Sequence, residues 1–208
     1  MIQRPAALAR KIRATSDVDR EVADAMIATP RHRFVRWRYL LGAYGDWSLP
    51  TGKGTTISQP TYIAKVISAG RVAAGDDVLE IGTGSGWTAA IIARLAHEIV
   101  TVDCVPALVQ RARKRLAGVS NVRVVLGDGV HAVTGTFDLI FVMAGGSCVP
   151  SAYTDRLREG GRLVMPVGKL RDKSGMHGVV TRVTRRNDQL VQEDLFPGDW
   201  NLLTGRDQ

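Results

Sequence analysis

Cysteine is scarce in this chain of 208 residues: Cys104 and Cys148 are the only two, and neither has a second cysteine or a histidine nearby at metal-ligand spacing. That excludes a disulfide framework and argues against a zinc centre or any other bound metal; both thiols read as reduced and buried. Long apolar runs are missing too. The strongest, Leu139 to Ala144, has the length of a buried strand and falls far short of a membrane span. Around Arg4, Arg10, Lys11 and Arg13 there is no apolar stretch ahead of a cleavage site, so no secretory leader is expected and the chain is placed in the cytoplasm, off the membrane. Internal repeats and low-complexity tracts are absent as well.

Acidic residues are the minority charge, 20 against 28 Lys and Arg, giving +8 and a sequence pI near 10.0. A polyanionic partner therefore has to be considered. The first 38 residues hold nine bases against four acids, and Arg111, Arg113, Lys114 and Arg115 share a helical stretch; both groups read as solvated helix faces. With 45% hydrophobic and 23% charged residues, the composition is that of a soluble globular chain whose length suits one domain.

From Asp77 onward, short β-branched runs alternate with stretches of helical periodicity, the order of a parallel sheet covered by helices. Strands are expected at Val78 to Ile81, Ile99 to Val102, Val122 to Leu126, Phe137 to Met143 and Arg162 to Val167. Helices are expected at Trp87 to Ala96, from Pro106 to about Ala117, and from Pro150 through Tyr153 and Leu157. Val179 to Thr184 and Leu190 to Leu195, separated by Arg185, Arg186, Asn187 and Asp188, suggest an antiparallel pair at the sheet edge. Ahead of the sheet, the chain reads as helical to about Met26 and loop-like through Pro30, Pro50, Gly52 and Gly54, forming a cap. The expected class is thus α/β, a doubly wound, mostly parallel sheet with a helical N-terminal cap and an antiparallel C-terminal edge.

Glu80-Ile81-Gly82-Thr83-Gly84-Ser85-Gly86 follows an expected strand and opens an expected helix, the setting in which a glycine-rich turn lets backbone approach a nucleotide. The same pattern can also serve only to pack a helix on a strand. Asp103 closes the next strand, either as a carboxylate for two ribose hydroxyls or as a helix cap or surface acid. Asp128 lies between Gly127 and Gly129 after the third strand, either receiving an adenine amino group or sitting in an ordinary turn. Three such elements at successive strand ends point jointly to a nucleoside cofactor. The G-x-G-x-G spacing resembles the first motif of class I methyltransferases.

Upstream, Leu49-Pro50-Thr51-Gly52-Lys53-Gly54-Thr55-Thr56-Ile57-Ser58-Gln59-Pro60 closely resembles the active-site segment of protein-L-isoaspartate O-methyltransferases. Pro30 to Val35, Val78 to Gly86, Gly127 to Gly129 and Gly160 to Gly168 extend the resemblance over roughly residues 20 to 185. The resemblance implies S-adenosylmethionine as cofactor, S-adenosylhomocysteine as product, and esterification of an isoaspartyl carboxylate that then closes to a succinimide. It implies cofactor binding by Glu80, Gly82, Thr83, Gly84, Ser85, Gly86, Asp103, Asp128 and Gly129. Ser58 would stand beside the reacting carboxylate, with Thr56, Ile57, Gln59 and Pro60 shaping the substrate side; a Ser capping the helix from Pro60 is compatible with this. The chain then divides into a cap and active-site segment over 1–60, a cofactor-binding core over 61–168 and edge strands with a substrate-side tail over 169–208.

Two segments depart from the family pattern, Met143 to Pro150 and the tail from Leu195 to Leu203, and both border the substrate side. They leave room for an alternative, a tailoring enzyme acting on one aspartate of a ribosomally made peptide. A peptide or protein substrate is expected either way, an acidic one suiting the basic surface. A nucleic-acid methyltransferase is disfavoured, since there is no Asn-Pro-Pro-Tyr-like motif and no aromatic stacking platform is obvious in the sequence. A monomer is the favoured state.

Overall fold

In a computed structural model, which describes residues 4–172 and 175–201, the N-terminal cap begins with α1 (Pro5–Arg13) and α2 (Arg20–Ile27). Each is amphipathic: α1 buries Leu8 and Ile12, and α2 buries Val22, Ala23, Ala25 and Met26. Two short 3-10 turns follow, Arg31–Arg33 and Trp37–Gly42. The chain then forms an antiparallel hairpin, β1 (Leu49–Gly52) and β2 (Thr55–Ile57), where the sequence suggests only loop. Pro50 and the glycines conceal it, yet an isolated two-stranded edge tolerates proline. Gly52, Lys53 and Gly54 all have positive φ (92°, 61° and 76°), which reverses the chain within three residues.

After α3 (Pro60–Gly70) come β3 (Asp77–Ile81), α4 (Trp87–Ile92), β4 (Glu98–Asp103), α5 (Pro106–Leu116) and β5 (Val122–Leu126). Then follow β6 (Phe137–Val142), α6 (Ser151–Thr154), β7 (Leu157–Asp172), β8 (Gly175–Arg186) and β9 (Gln189–Asn201). The last seven strands form one sheet in the order β5-β4-β3-β6-β7-β8-β9, parallel through β7 and antiparallel beyond it. Strand order reverses between β3 and β6, so a crevice opens outside their carboxyl ends.

Both faces of the central strands are buried, which explains why their sequences lack clean alternation. Val78, Ile99, Leu139 and Phe141 pack on one side with α3 and α4; Leu79, Val100, Ile140 and Leu163 pack on the other with Tyr153 and Val130.

Three sequence expectations need correction. The helix from Trp87 ends at Ile92, because the next amides bond three residues back (Arg94 to Ile91, Leu95 to Ile92) and tighten the chain into β4; the Asn121 amide covers the carbonyls of Ala93, Ala96 and His97. The helix after Pro150 spans Ser151–Thr154 only, since Leu157 already pairs with Phe137 as the first residue of β7. Cys104 and Cys148 are exposed, not buried, because Cys104 lies just past the end of β4 and Cys148 lies in the loop between β6 and α6. The edge pair is confirmed and longer than expected: β9 runs through Pro197 and Gly198, and the tail residues Leu202 and Leu203 lie outside the described residues.

Candidate active site

The glycine turn after β3 is fixed from beneath. Amides of Gly82 and Thr83 both donate to the Val102 carbonyl, at 2.8 and 3.1 Å, which welds the turn to the end of β4. Gly82 and Gly84 have φ of 99° and 52°, and a Cβ on Gly82 would stand 3.3 Å from the Met143 Cβ. The turn therefore presents bare backbone to the crevice.

Asp103, almost fully buried at the end of β4, accepts the Gly84 amide on one carboxylate oxygen (2.8 Å) and the Val105 amide on the other (2.9 Å). It braces the glycine turn and the chain entering α5 without capping that helix, and each oxygen keeps a lone pair. Gly127 donates to the Asp103 carbonyl at 3.1 Å, drawing the third strand end to the same place. Gly82, Gly84, Asp103, Cys104, Gly127 and Gly129 thus line one cleft, closed on the hairpin side by Thr55 and Thr56. Asp128, between the last two glycines, is half-buried.

Glu80, Thr83 and Ser85 stand behind this cleft. Glu80 is fully buried on β3; with the hydroxyl of Thr101 donating to Glu80 (2.5 Å), Thr83 is left to donate to Thr101 (2.6 Å). Burial, only partly offset by the Thr101 hydrogen bond, pushes the Glu80 carboxyl up to about 8, so at neutral pH it is held as the acid. The Ser85 hydroxyl accepts the Trp87 amide at the start of α4, and Gly86 packs against Leu116 of α5.

A second cavity of about 550 Å³ adjoins the first, sharing Thr56 and Met143 as walls. Ser48, Ser58, Gln59, Tyr62, Asp199 and Trp200 are among its lining residues. Ile57 points away into the core and Pro60 is the buried first residue of α3. Ser58 does not cap that helix. Asp46 does so from a distance, accepting the Thr61 amide and hydroxyl at 3.0 Å, the Gln59 amide at 3.1 Å and the Lys11 ammonium at 2.7 Å. Burial opposes the Asp46 charge, but these donors outweigh it and hold its carboxyl below the usual range.

What the sequence reading missed is how the segment bearing Ser58 is held. Arg31, 1% exposed, donates from one terminal nitrogen to the carbonyls of Ala43 (2.9 Å) and Gly45 (3.2 Å). The other reaches Trp47 (2.9 Å), Ser58 (3.0 Å) and Ile57 (3.4 Å). Its guanidinium lies 5.3 Å from the Trp87 ring centre. Burial, against the pull of Asp46, lowers it to about 10, still a cation at neutral pH. On the basic helix α5 the solvated-face reading holds for the exposed Arg113 and Lys114 but misses the ties made by its arginines: Arg111 donates to Thr51 O (2.7 Å), Arg113 to Val124 O (3.0 Å) and Arg115 to Ser85 O (3.0 Å) and Val35 O (3.2 Å). Such long-range arginine ties leave no local sequence signal beyond the charge itself.

A mostly parallel sheet with a G-x-G-x-G turn, a strand-end carboxylate, an open cleft at its reversal point and antiparallel last strands fits the class I, Rossmann-like methyltransferases. The chain belongs to the protein-L-isoaspartate(D-aspartate) O-methyltransferase family, whose model matches residues 3–205. It is 38% identical over 202 residues to the protein-L-isoaspartate O-methyltransferase of Desulfotalea psychrophila, covering 95% of this chain and 92% of that one. With the Gloeobacter violaceus protein of the same name it shares 41% over 187 residues, covering 88% and 89%. Among solved structures it is similar to a protein-L-isoaspartate O-methyltransferase at TM-score 0.86 and 27% identity, covering 98% of this chain and 67% of that one. A Plasmodium falciparum structure in complex with S-adenosyl-L-homocysteine has the same fold, at TM-score 0.81 and 20% identity over 95% and 97% of the two chains. Among the described residues, no group of His, Cys, Asp and Glu could hold a metal, and no helix is long and apolar enough to cross a membrane.

Proposed function

We propose that this protein uses S-adenosylmethionine to esterify the free α-carboxylate of L-isoaspartyl residues in peptides and proteins. The observation that carries the reading is the contact between two clefts through Thr56 and Met143, one walled by bare glycine backbone and Asp103, the other by Ser58 and Gln59. The residues of the first cleft suit a nucleoside: two glycine turns, after β3 and after β5, present backbone without a Cβ, and a braced carboxylate suits a diol. In this reading Gly82, Gly84, Asp103, Asp128 and Gly129 hold the cofactor directly, while Glu80, Thr83, Ser85 and Gly86 set the shape of the turn.

The cofactor, when bound, supplies a methyl group on a positively charged sulfur. The acceptor carboxylate, with a pKa of about 4, is already ionised at neutral pH and needs no base. The protein's part is to exclude water and to align one carboxylate oxygen. Ser58 donates to that carboxylate, Thr56 forms the wall between donor and acceptor, and Gln59 bounds the peptide backbone. The cation of Arg31, fixed behind the Ser58 carbonyl, favours negative charge in front of it. The basic surface favours acidic substrates. Two exposed cysteines that do not pair with each other suit the reducing cytoplasm.

The test offers matched isoaspartyl and aspartyl peptides of unrelated sequence with labelled cofactor, then raises the pH. The expected outcome is rapid labelling of the isoaspartyl set alone and release of the label in mild alkali, as an ester requires. An alkali-stable label, or equal labelling of both sets, would sink the reading.

A further inference from the structure

The 3-10 turn Trp37–Gly42 buries none of its residues. Trp37 is 77% exposed and Leu41 72%, with Leu40 and Trp47 also open to solvent. So many large apolar side chains on one rim are unusual for an uncommitted surface. The Arg38 guanidinium lies 5.8 Å from the Trp37 ring centre, and Arg36 abuts Gly52 at the hairpin turn, next to Lys53. Among the described residues, none of these three cations has an ion-pair partner. Residues 31 to 58 contain five Lys and Arg but a single acid, Asp46, whose carboxylate is already taken by Lys11, Gln59 and Thr61.

This rim is continuous with the acceptor cavity. Gly42 sits against the Trp47 ring, and Trp47 precedes Ser48, which lines the cavity. At the other end Arg36 meets the hairpin whose Thr56 forms the wall between the two clefts.

We infer that Arg36, Trp37, Arg38, Leu41 and Trp47 form a docking ledge for an acidic, apolar-bearing polypeptide segment that flanks the methyl-accepting residue. The inference rests on the proposed carboxyl methylation for its acceptor but assigns the recognition surface independently. Carboxylates on the segment pair with the unpartnered arginines, and its apolar side chains cover Trp37 and Leu41. A polypeptide is assigned because Leu40 and Leu41 add exposed aliphatic surface that stacked bases do not use; the two indoles and their neighbouring arginines are the part of the ledge a single-stranded nucleic acid would compete for.

The test uses the full chain and two isoaspartyl peptides of one core sequence, one extended by alternating Glu and Leu, the other by Gly and Ser. Wild type is expected to show a KM about tenfold lower for the acidic extension at low salt, with kcat unchanged, the advantage fading at high ionic strength. Arg38→Glu combined with Trp37→Ala and Leu41→Ser should erase the advantage and leave turnover of the Gly-Ser peptide unaltered. Fluorescence anisotropy of the labelled acidic peptide, read without cofactor, follows docking whether or not methylation occurs. Ledge-dependent binding without turnover would overturn the acceptor assignment and keep the ledge. Equal KM for both peptides in wild type would overturn the ledge and keep the acceptor. A labelled single-stranded RNA that outcompetes the acidic peptide for the same residues would also overturn it.

Discussion

Asp103 carries more than one duty at a single carboxylate, and substitutions can separate them. Asp103→Ala removes the proposed ribose acceptor and orphans the amides of Gly84 and Val105, so cofactor affinity should fall by about 1 to 3 kcal/mol, measured by calorimetry. Asp103→Asn keeps one acceptor oxygen and should lie between; unchanged affinity in folded variants would remove Asp103 from the site. Glu80 makes a pH prediction. The folded protein keeps its proton up to about pH 8, whereas the unfolded carboxyl releases it near 4.5. The folded state therefore binds more protons between these values, and its stability declines as pH rises through that window. Denaturant titrations of Glu80→Gln between pH 5 and 8 should lose this decline; an identical slope in both proteins would show the carboxyl to be ionised throughout. Cys104, exposed on the cleft wall, should react with a thiol reagent more slowly when cofactor is present.

The hairpin β1–β2 and the Ser58 segment behind it depend on one buried arginine. Arg31→Met leaves five backbone carbonyls without their donor, and a loss of at least about 3 kcal/mol in unfolding free energy is expected. Arg31→Lys keeps the charge but not the planar fork, so it should raise the acceptor KM with cofactor affinity little changed. Ser58→Ala should slow methyl transfer about tenfold, as expected for losing one donor to the reacting group, while leaving the unfolding midpoint near wild type because Asp46 holds the helix start. These elements differ in how far the sequence reveals them. The βα succession and the glycine turn are legible because each strand and cap has a local cause. The hairpin is hidden by Pro50 and two glycines, and β9 runs on through Pro197 and Gly198 because an edge strand forgives residues that an inner strand would not. Arg31 is hidden for another reason: it lies in the Pro30 to Val35 segment of the resemblance, but its partners lie up to 27 positions away and nothing in that segment distinguishes it from Arg33.

Across the whole molecule, the C-terminal strands fold back to furnish part of the proposed acceptor cavity, with Trp200 donating to the Tyr62 hydroxyl and Asp199 paired to His177 at 2.9 Å. Trp200→Ala should widen that cavity and relax discrimination between isoaspartyl and aspartyl peptides, read as a ratio of kcat/KM values. The shared wall at Thr56 and Met143 carries a consequence for the sequence of events in turnover. A peptide seated against Ser58 would press on the same hairpin that closes the neighbouring cleft, and so obstruct exchange there. Loading should therefore follow a compulsory order, with the nucleoside entering before the peptide and its spent form departing last. Steady-state inhibition by S-adenosylhomocysteine would then be competitive against S-adenosylmethionine and noncompetitive against peptide, leaving the enzyme sensitive in the cell to the ratio of the two nucleosides rather than to the supply of either alone.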